Sequence, residues 1–261
     1  MLISFIIINY KTKELSAQCL ESIFDNCRGG HYEIIMIDNN SEDGSVKYLE
    51  QKYQNKITFI KSDSNLGFAG ANNLGAKQAK GEILLFLNSD TVLKQDITAG
   101  ISEAFENNKQ LGIASPRLLN EDSSPQAKAY GKMPDLKSII TSKISQKELP
   151  IEKIAWVSGA ALAIRKNLFE KIGAWDEKFF MYLEDVDLCY RAKLTGYEIK
   201  LLPEISIIHL GGKSPINDLK RRLIYFNSQD YFFKKHYGKI KTLFMKIIRW
   251  PYKKFVLRKL K

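Results

Sequence analysis

Residues 2–8 read Leu-Ile-Ser-Phe-Ile-Ile-Ile, an apolar and β-branched run broken only by Ser4. A half-exposed strand would alternate polar with apolar residues, so this run predicts a strand covered on both faces. Leu15, Cys19 and Ile23 follow at helical spacing, and residues 33–37 form a second apolar run ending at Asp38. The next helix carries Val46, Leu49 and Tyr53 on one side. Residues 57–60 read as a third strand, 71–80 as a helix of small residues, and 82–87 as a fourth strand running into Asn88, Ser89 and Asp90. Strand and helix alternating at this pitch predict an α/β chain with a doubly wound, mostly parallel sheet and right-handed crossovers.

Beyond residue 97 the rhythm changes. A helix is expected over 97–107, a buried strand over 154–165, a helix over 184–194, an extended segment over 205–209 and a helix over 217–237. Residues 120–150 are polar and carry Pro125, Pro134 and Pro150, as expected of a long surface excursion. Neither an internal repeat nor a linker to a second globular domain is evident. The expected division is therefore an α/β body over 1–215 and a helical, basic tail over 216–261.

The 261 residues are 44% hydrophobic and 26% charged, an ordinary globular balance. No apolar run approaches the roughly 18–20 residues needed to cross a bilayer. The first residues lack the pattern of a secretory signal, so a cytoplasmic location is expected. Cys19, Cys27 and Cys189 form no close pair, which excludes a disulfide framework and a thiolate zinc site. The net charge of +11 lies wholly in the tail: residues 231–261 hold eleven Lys and Arg and no acid, whereas 1–230 are balanced. A body without excess positive charge argues against nucleic acid as partner.

In an open parallel sheet, ligands bind beyond the carboxyl ends of the strands. The residues expected there are Asn9 and Tyr10, Asp38, and Asn88-Ser89-Asp90. Asn and Asp are also common in turns and caps, so the case rests on three clusters converging. Asn65–Asn73 opens a helix with Gly67 and Gly70, an arrangement that can bring backbone N–H groups to a phosphate. Glu184, Asp185 and Asp187 crowd one predicted helix start, where like charges raise one another's pKa and one carboxylate could serve as a base. His209, ending an apolar strand, is a candidate metal ligand. Two look-alikes fail. Gly212-Lys213-Ser214 lacks the earlier glycine of a P-loop, and residues 38–50 misplace the glycine and final acid of a calcium loop.

The segments IIINYKT (6–12), IDNNSEDGS (37–45), NLGFAGANN (65–73), LFLNSDT (85–91), WVSGAALAIRK (156–166), GAWDEKFFMYLEDVDLCYRA (173–192) and HLGGKS (209–214) occur in one order. In that order the chain resembles family 2 glycosyltransferases of the GT-A fold, in a rhamnosyltransferase-like subgroup. The resemblance implies a nucleotide-sugar donor, possibly dTDP-rhamnose, with Tyr10 and Asp38 at the nucleobase. Asn9, Asn40, Gly67, Asn72, Asn88 and Ser89 would complete the donor site. Asp90 would bind Mg2+ or Mn2+ with help from His209. Asp185, supported by Glu184 and Asp187, would deprotonate an acceptor hydroxyl of a saccharide or lipid-linked saccharide, giving inversion in a single displacement. Asn88 stands where the family carries the first acid of its Asp-x-Asp motif.

Two other readings stay open. A sugar-phosphate nucleotidyltransferase uses a similar nucleotide-binding half but needs a glycine-rich loop after the first strand, where this chain has Asn9-Tyr10-Lys11-Thr12. A non-catalytic, membrane-associated binding protein would not need Asp90 and Asp185 in one crevice. In the tail, Ile240, Leu243, Phe244, Ile247 and Ile248 recur at one helical stripe among lysines, followed by Trp250, Tyr252, Phe255, Val256 and Leu260. Residues 239–261 are therefore expected to lie on an anionic membrane, on its inner face.

Overall fold

A computed structural model describes the chain apart from Gly30, residues 137–148, 212–216 and 260–261. Ten strands are seen among the described residues: β1 (Ile3–Asn9), β2 (Tyr32–Asp38), β3 (Thr58–Lys61), β4 (Ile83–Asn88), β5 (Thr91–Leu93), β6 (Leu111–Leu119), β7 (Tyr130–Gly131), β8 (Trp156–Val157), β9 (Ala161–Arg165) and β10 (Glu198–His209). The helices are α1 (Lys13–Asn26), α2 (Ser45–Tyr53), α3 (Gly67–Ala76), α4 (Thr98–Asn107), α5 (Lys166–Lys171), α6 (Glu184–Leu194) and α7 (Asp218–Lys259).

Eight strands form one sheet in the order β3-β2-β1-β4-β9-β6-β10-β5. The block β3-β2-β1-β4 is parallel, as is the pair β6-β10, while β9 runs against both its neighbours and β5 against β10. Strand order reverses between β1 and β4, and Ile8 pairs there with Asn88. Side chains alternate as a two-sided sheet requires. Ile3, Phe5, Ile7, Met36 and Leu85 pack with α1, α2 and α4, whereas Ile6, Ile35, Leu84 and Phe86 pack with α3, α5 and α6. Fully burying each such side chain is worth about 1.5–3 kcal/mol, which is why the apolar runs dictate the strands.

The structure revises several expected boundaries. Helix α3 starts at Gly67, four residues before the expected position, and β10 is longer than 205–209. The expected strand 154–165 is two strands, β8 and β9, parted by a turn in which Ala161 N–H donates to the Ser158 carbonyl. Of the 120–150 excursion, the described part includes a Leu119–Pro125 bridge and β7, and the remainder lies outside the described residues, as do Gly212–Ser214 and Leu260.

The tail differs most from expectation. Gly238, at φ 81° and ψ 174°, breaks α7 into two helices, a left-handed backbone that glycine adopts without Cβ strain. The second half folds back on the first, giving a helical hairpin. Arg249, 5% exposed, donates from Nη1 to Gln229 Oε1 (2.7 Å) and the Phe226 carbonyl (3.2 Å) and from Nη2 to Asp230 Oδ1 (2.5 Å). Met245 packs with Phe232 and Phe233, which join Phe179 and Val186 of the body in one apolar cluster. The tail is thus continuous with the body's packing. Buried Thr242, Met245 and Arg249 form the inner face, and the sequence's apolar stripe points outward.

Arg249→Ala removes the donor to the buried Phe226 carbonyl and Gln229 Oε1 and leaves Asp230 only Lys246, and is expected to cost about 3 kcal/mol, the lower end for breaking a buried pair. Lys246 reaches the same carboxylate at 3.3 Å but is half exposed, so Lys246→Ala should cost under about 1 kcal/mol. Thermal denaturation followed by circular dichroism separates the two, at about 2–4 °C per kcal/mol. Equal and small losses would mean that the guanidinium does not clamp the hairpin.

Candidate active site

The ends of β1 and β2 are locked by one amide. Asn9, fully buried, turns Nδ2 toward Asp38 Oδ1 (2.6 Å), Ser45 Oγ (2.7 Å) and Ser41 Oγ (3.0 Å). Its Oδ1 accepts from Ser16 (3.0 Å) and Thr12 (3.1 Å) hydroxyls. Asp38 Oδ2 accepts from the Ser41 N–H at 3.0 Å. Asn9 therefore supports the site from beneath rather than lining it. Tyr10 and Asn40, which follow these strands, are half-buried, and Asn40 holds a left-handed φ of 61°.

At the end of β4, Ser89 Oγ lies 3.0 Å from Thr12 Oγ1, joining this strand end to the first cluster. The antiparallel pairing of β5 with β10 brings His209 opposite Thr91, and the Leu210 N–H donates to the Asp90 carbonyl. His209 Nε2 consequently sits 3.2 Å from Asp90 Oδ1 and 3.4 Å from Asn88 Nδ2. On its other side, His209 Nδ1 is 2.7 Å from Gln126 Oε1. A carboxylate oxygen and an imidazole nitrogen facing one point suit an Mg2+- or Mn2+-sized cation whose remaining positions take phosphate or water oxygens. No group of three or more His, Cys, Asp or Glu that could hold a metal occurs among the described residues. The donor set thus fits a cation shared with a ligand, not a closed structural site.

The acidic trio divides. Helix α6 is delivered by Tyr182 and Leu183, both left-handed (φ 73° and 67°), a strained approach pinned by the Ser228 hydroxyl on the Met181 carbonyl. Asp185 accepts from the N–H groups of Gly159 (3.0 Å) and Val186 (2.8 Å). Burial raises its pKa, while those two N–H groups hold it back. The adjacent Ala160 carbonyl accepts from Asn88 N–H, so the β8–β9 turn ties Asp185 to the end of β4. Glu184 is buried, its Oε2 finds no partner among the described residues, and burial followed by the Asp185 charge pushes its pKa well up.

Asp187 faces away. It is fully buried and paired with Arg191, Lys235 and His236, each at 2.7 Å. Burial pushes its pKa up, but the His236 bond and the Arg191 and Lys235 charges outweigh it and hold the carboxyl low. Its contacts fasten α6 to α7, so any support it gives Asp185 runs through the placement of the helix.

The glycine-opened helix is also reassigned. A Cβ on Gly67, at φ 71°, would lie 2.6 Å from the Phe180 carbonyl, so this glycine is required by packing. The N–H groups that a phosphate would need are taken: Leu66 donates to Asn39 Oδ1, Gly67 to Asn65 Oδ1, and Phe68 to the Phe180 carbonyl. Asn72 is buried with Nδ2 unpartnered. Asn39, Gln126 and Gly159 were missed in the sequence: two are ordinary loop residues, and Gly159 acts through its backbone. A separate cleft of ≈ 360 Å³ lined by Asn73, Trp175, Glu177, Arg191 and Lys235 contains none of the strand-end residues.

Comparison with known proteins agrees with this architecture. The low-salt glycan biosynthesis hexosyltransferase Agl10 of Haloferax volcanii is 28% identical over 214 residues, 79% of this chain and 66% of the relative. The chain thus spans just under two thirds of that relative's length. Rhamnosyltransferase WbbL of Escherichia coli K12 is 26% identical over 224 residues, 80% of this chain and 83% of the relative. A solved structure, the mannosyltransferase PcManGT of Pyrobaculum calidifontis in complex with GDP-Man and Mn2+, superposes with a TM-score of 0.65 at 16% identity. It covers 91% of this chain and 64% of that one, and shows that the fold is that of GT-A glycosyltransferases. The family model described as glycosyl transferase family 2 matches residues 4–173, and the chain belongs to that family.

Proposed function

We propose that the chain is an inverting transferase that moves a sugar from a nucleoside-diphosphate sugar to a hydroxyl of a saccharide or lipid-linked saccharide, in surface-glycan synthesis. The observation that carries this is the arrangement at the end of β4: Asp90 beside His209, with Asp185 tied to the same strand end through Gly159 and Ala160. Asp90 Oδ1 and His209 Nε2 would hold an Mg2+ or Mn2+ ion, Asn40, Asn88 and Ser89 would face the donor, and Tyr10 and Asp38 would hold the nucleobase. When bound, the cation supplies charge neutralisation for the departing diphosphate. Asp185, raised by burial yet ionisable, accepts the proton of the attacking hydroxyl. The rhamnosyltransferase relative supports rhamnose as the transferred sugar, with dTDP-rhamnose as the donor to test. Asn88 in place of an acid leaves the cation one negative charge short and predicts weaker metal retention without nucleotide.

Thermal shift with UDP, dTDP and GDP, each with and without Mn2+, followed by turnover of the matching nucleotide sugar, tests the assignment. Release of nucleoside diphosphate is expected, and pyrophosphate instead would identify a nucleotidyltransferase. Asp90→Ala should abolish the metal-dependent part of nucleotide stabilisation. Asp185→Asn should lower turnover on the order of 10²–10⁴-fold with donor binding unchanged. Full transfer by Asp185→Asn would remove the base.

Glu184 gives a pH signature. Its folded-state pKa is raised well above the ordinary 4.5, so stability is intact below about pH 4.5 and is lost progressively as pH rises from there to the raised value. Glu184→Gln keeps the shape without ionising. Its melting temperature should match wild type near pH 4 and exceed it at neutral to alkaline pH by at least about 2–4 °C, the equivalent of about 1 kcal/mol. Parallel pH curves for the two proteins would contradict a raised Glu184 pKa.

The reading extends to an anionic lipid surface. The outer face of the second α7 helix exposes Ile240 (74%), Leu243 (60%), Ile247 (60%) and Trp250 (61%), rimmed by exposed Lys239, Lys241, Lys246 and Lys254. Apolar insertion and roughly 1 kcal/mol per basic residue near such a surface favour lipid over a protein groove. No helix among the described residues is long and apolar enough to cross a membrane. The full chain should co-sediment with phosphatidylglycerol vesicles, less so in high salt, while Leu243→Ser/Phe244→Ser/Ile247→Ser stays in the supernatant at unchanged melting temperature. Equal sedimentation, or a dimer that the triple variant dissolves, would rule out the lipid partner.

A further inference from the structure

We infer that Gln126 is a positioning residue that fixes the tautomer of His209, leaving Nε2 bare toward Asp90. The inference rests on the reading of Asp90 and His209 as the cation site. Gln126 lies where the chain returns from the Asn120–Ser124 turn, and its N–H is held by the Leu118 carbonyl. Its side-chain amide has no freedom of assignment. One end faces the His209 carbonyl oxygen at 2.9 Å and Asn120 Oδ1 at 3.4 Å, and a carbonyl can only accept, so that end is the Nε2 donor. The other end is then Oε1, 2.7 Å from His209 Nδ1, and an acceptor there requires Nδ1–H. In a neutral imidazole the second nitrogen then carries the lone pair. That nitrogen, Nε2, looks onto Asp90 Oδ1 at 3.2 Å and Asn88 Nδ2 at 3.4 Å. Two acceptors side by side repel, and a cation between them relieves the repulsion. Gln126 thus holds both the backbone and the ring of one residue, so the strand end and the imidazole plane move together. An imidazole free in water prefers the opposite tautomer, with its proton on Nε2, which would close the nitrogen to a metal.

The experiment has a metal-free arm and a metal arm. Long-range ¹H–¹⁵N spectra of histidine-labelled protein at alkaline pH report the tautomer directly. The chain has three histidines, His31, His209 and His236, and the His209→Asn variant identifies the signal. Wild type should show the proton on Nδ1. Gln126→Leu, with fold checked by circular dichroism, should shift the population toward Nε2–H. In the metal arm, Mn2+ affinity in the presence of nucleoside diphosphate, read by electron paramagnetic resonance, should weaken by about 10–100-fold in Gln126→Leu. A wild-type proton on Nε2, or the same tautomer in wild type and Gln126→Leu, overturns the inference. Absence of Mn2+ binding by wild type with nucleotide would instead remove the cation reading, with the tautomer result unaffected.

Discussion

Both faces of the eight-stranded sheet are sealed by helices, so polar side chains of the central strands can emerge only at strand ends. The sheet's order turns this into a site. Strands β1 and β2 lead away from β4 in one direction, and the return of the chain opens the crevice between the ends of β1 and β4. Asn9 sits at that point with no exposed surface, holding Asp38, Ser41, Ser45, Ser16 and Thr12 around a single amide. A smaller or apolar residue there would leave several buried polar groups without partners, each worth about 1–3 kcal/mol. The surrounding positions, Tyr10, Asn40 and Ser89, owe their placement to this buried support.

The three acids of α6 show how one stretch of sequence serves two purposes. Their spacing puts Glu184 and Asp185 at the start of the helix and turns Asp187 toward α7. The Arg191 and Lys235 charges and the His236 hydrogen bond stabilise the ionised form of Asp187 and keep it away from the crevice. Asp185 instead meets only two backbone N–H groups, enough to orient it without fully offsetting burial. Opposite shifts within three residues follow from which way each side chain points.

Much of this was legible in the residues. The apolar runs 2–8, 33–37 and 82–87 gave strand positions because burial on both faces leaves no other reading, and their last residues marked the site. The rest depended on contacts between residues distant in sequence. The break at Ser158-Gly159-Ala160 is set by β9 running antiparallel beside β4, and its turn dipeptide Ser-Gly is masked by the apolar residues on both sides. Gly67 resembled a phosphate-binding glycine because a φ near 70° serves a ligand and a neighbouring Phe180 carbonyl equally well. Gln126 gave no signal, as its role arises from a residue 83 positions away. The tail's apolar stripe was visible, but the clamp that presents it hinges on Arg249, one cation among eleven in the stretch.

The hairpin of α7 makes a lever. Its first arm grips the acid-bearing helix, through Ser228 on the Met181 carbonyl and through Lys235 and His236 on Asp187. Gly238 is the elbow, and Arg249 bolts the second arm to the first. Whatever captures the outer arm therefore sets the height and tilt of Asp185 with little play, since no loose joint among the described residues of the hairpin separates the two. On the proposed reading, with Asp185 as base and the outer arm on lipid, an acceptor hydroxyl would have to project from the interface as far as Asp185 is held, and reach would join pocket shape as a criterion for the acceptor.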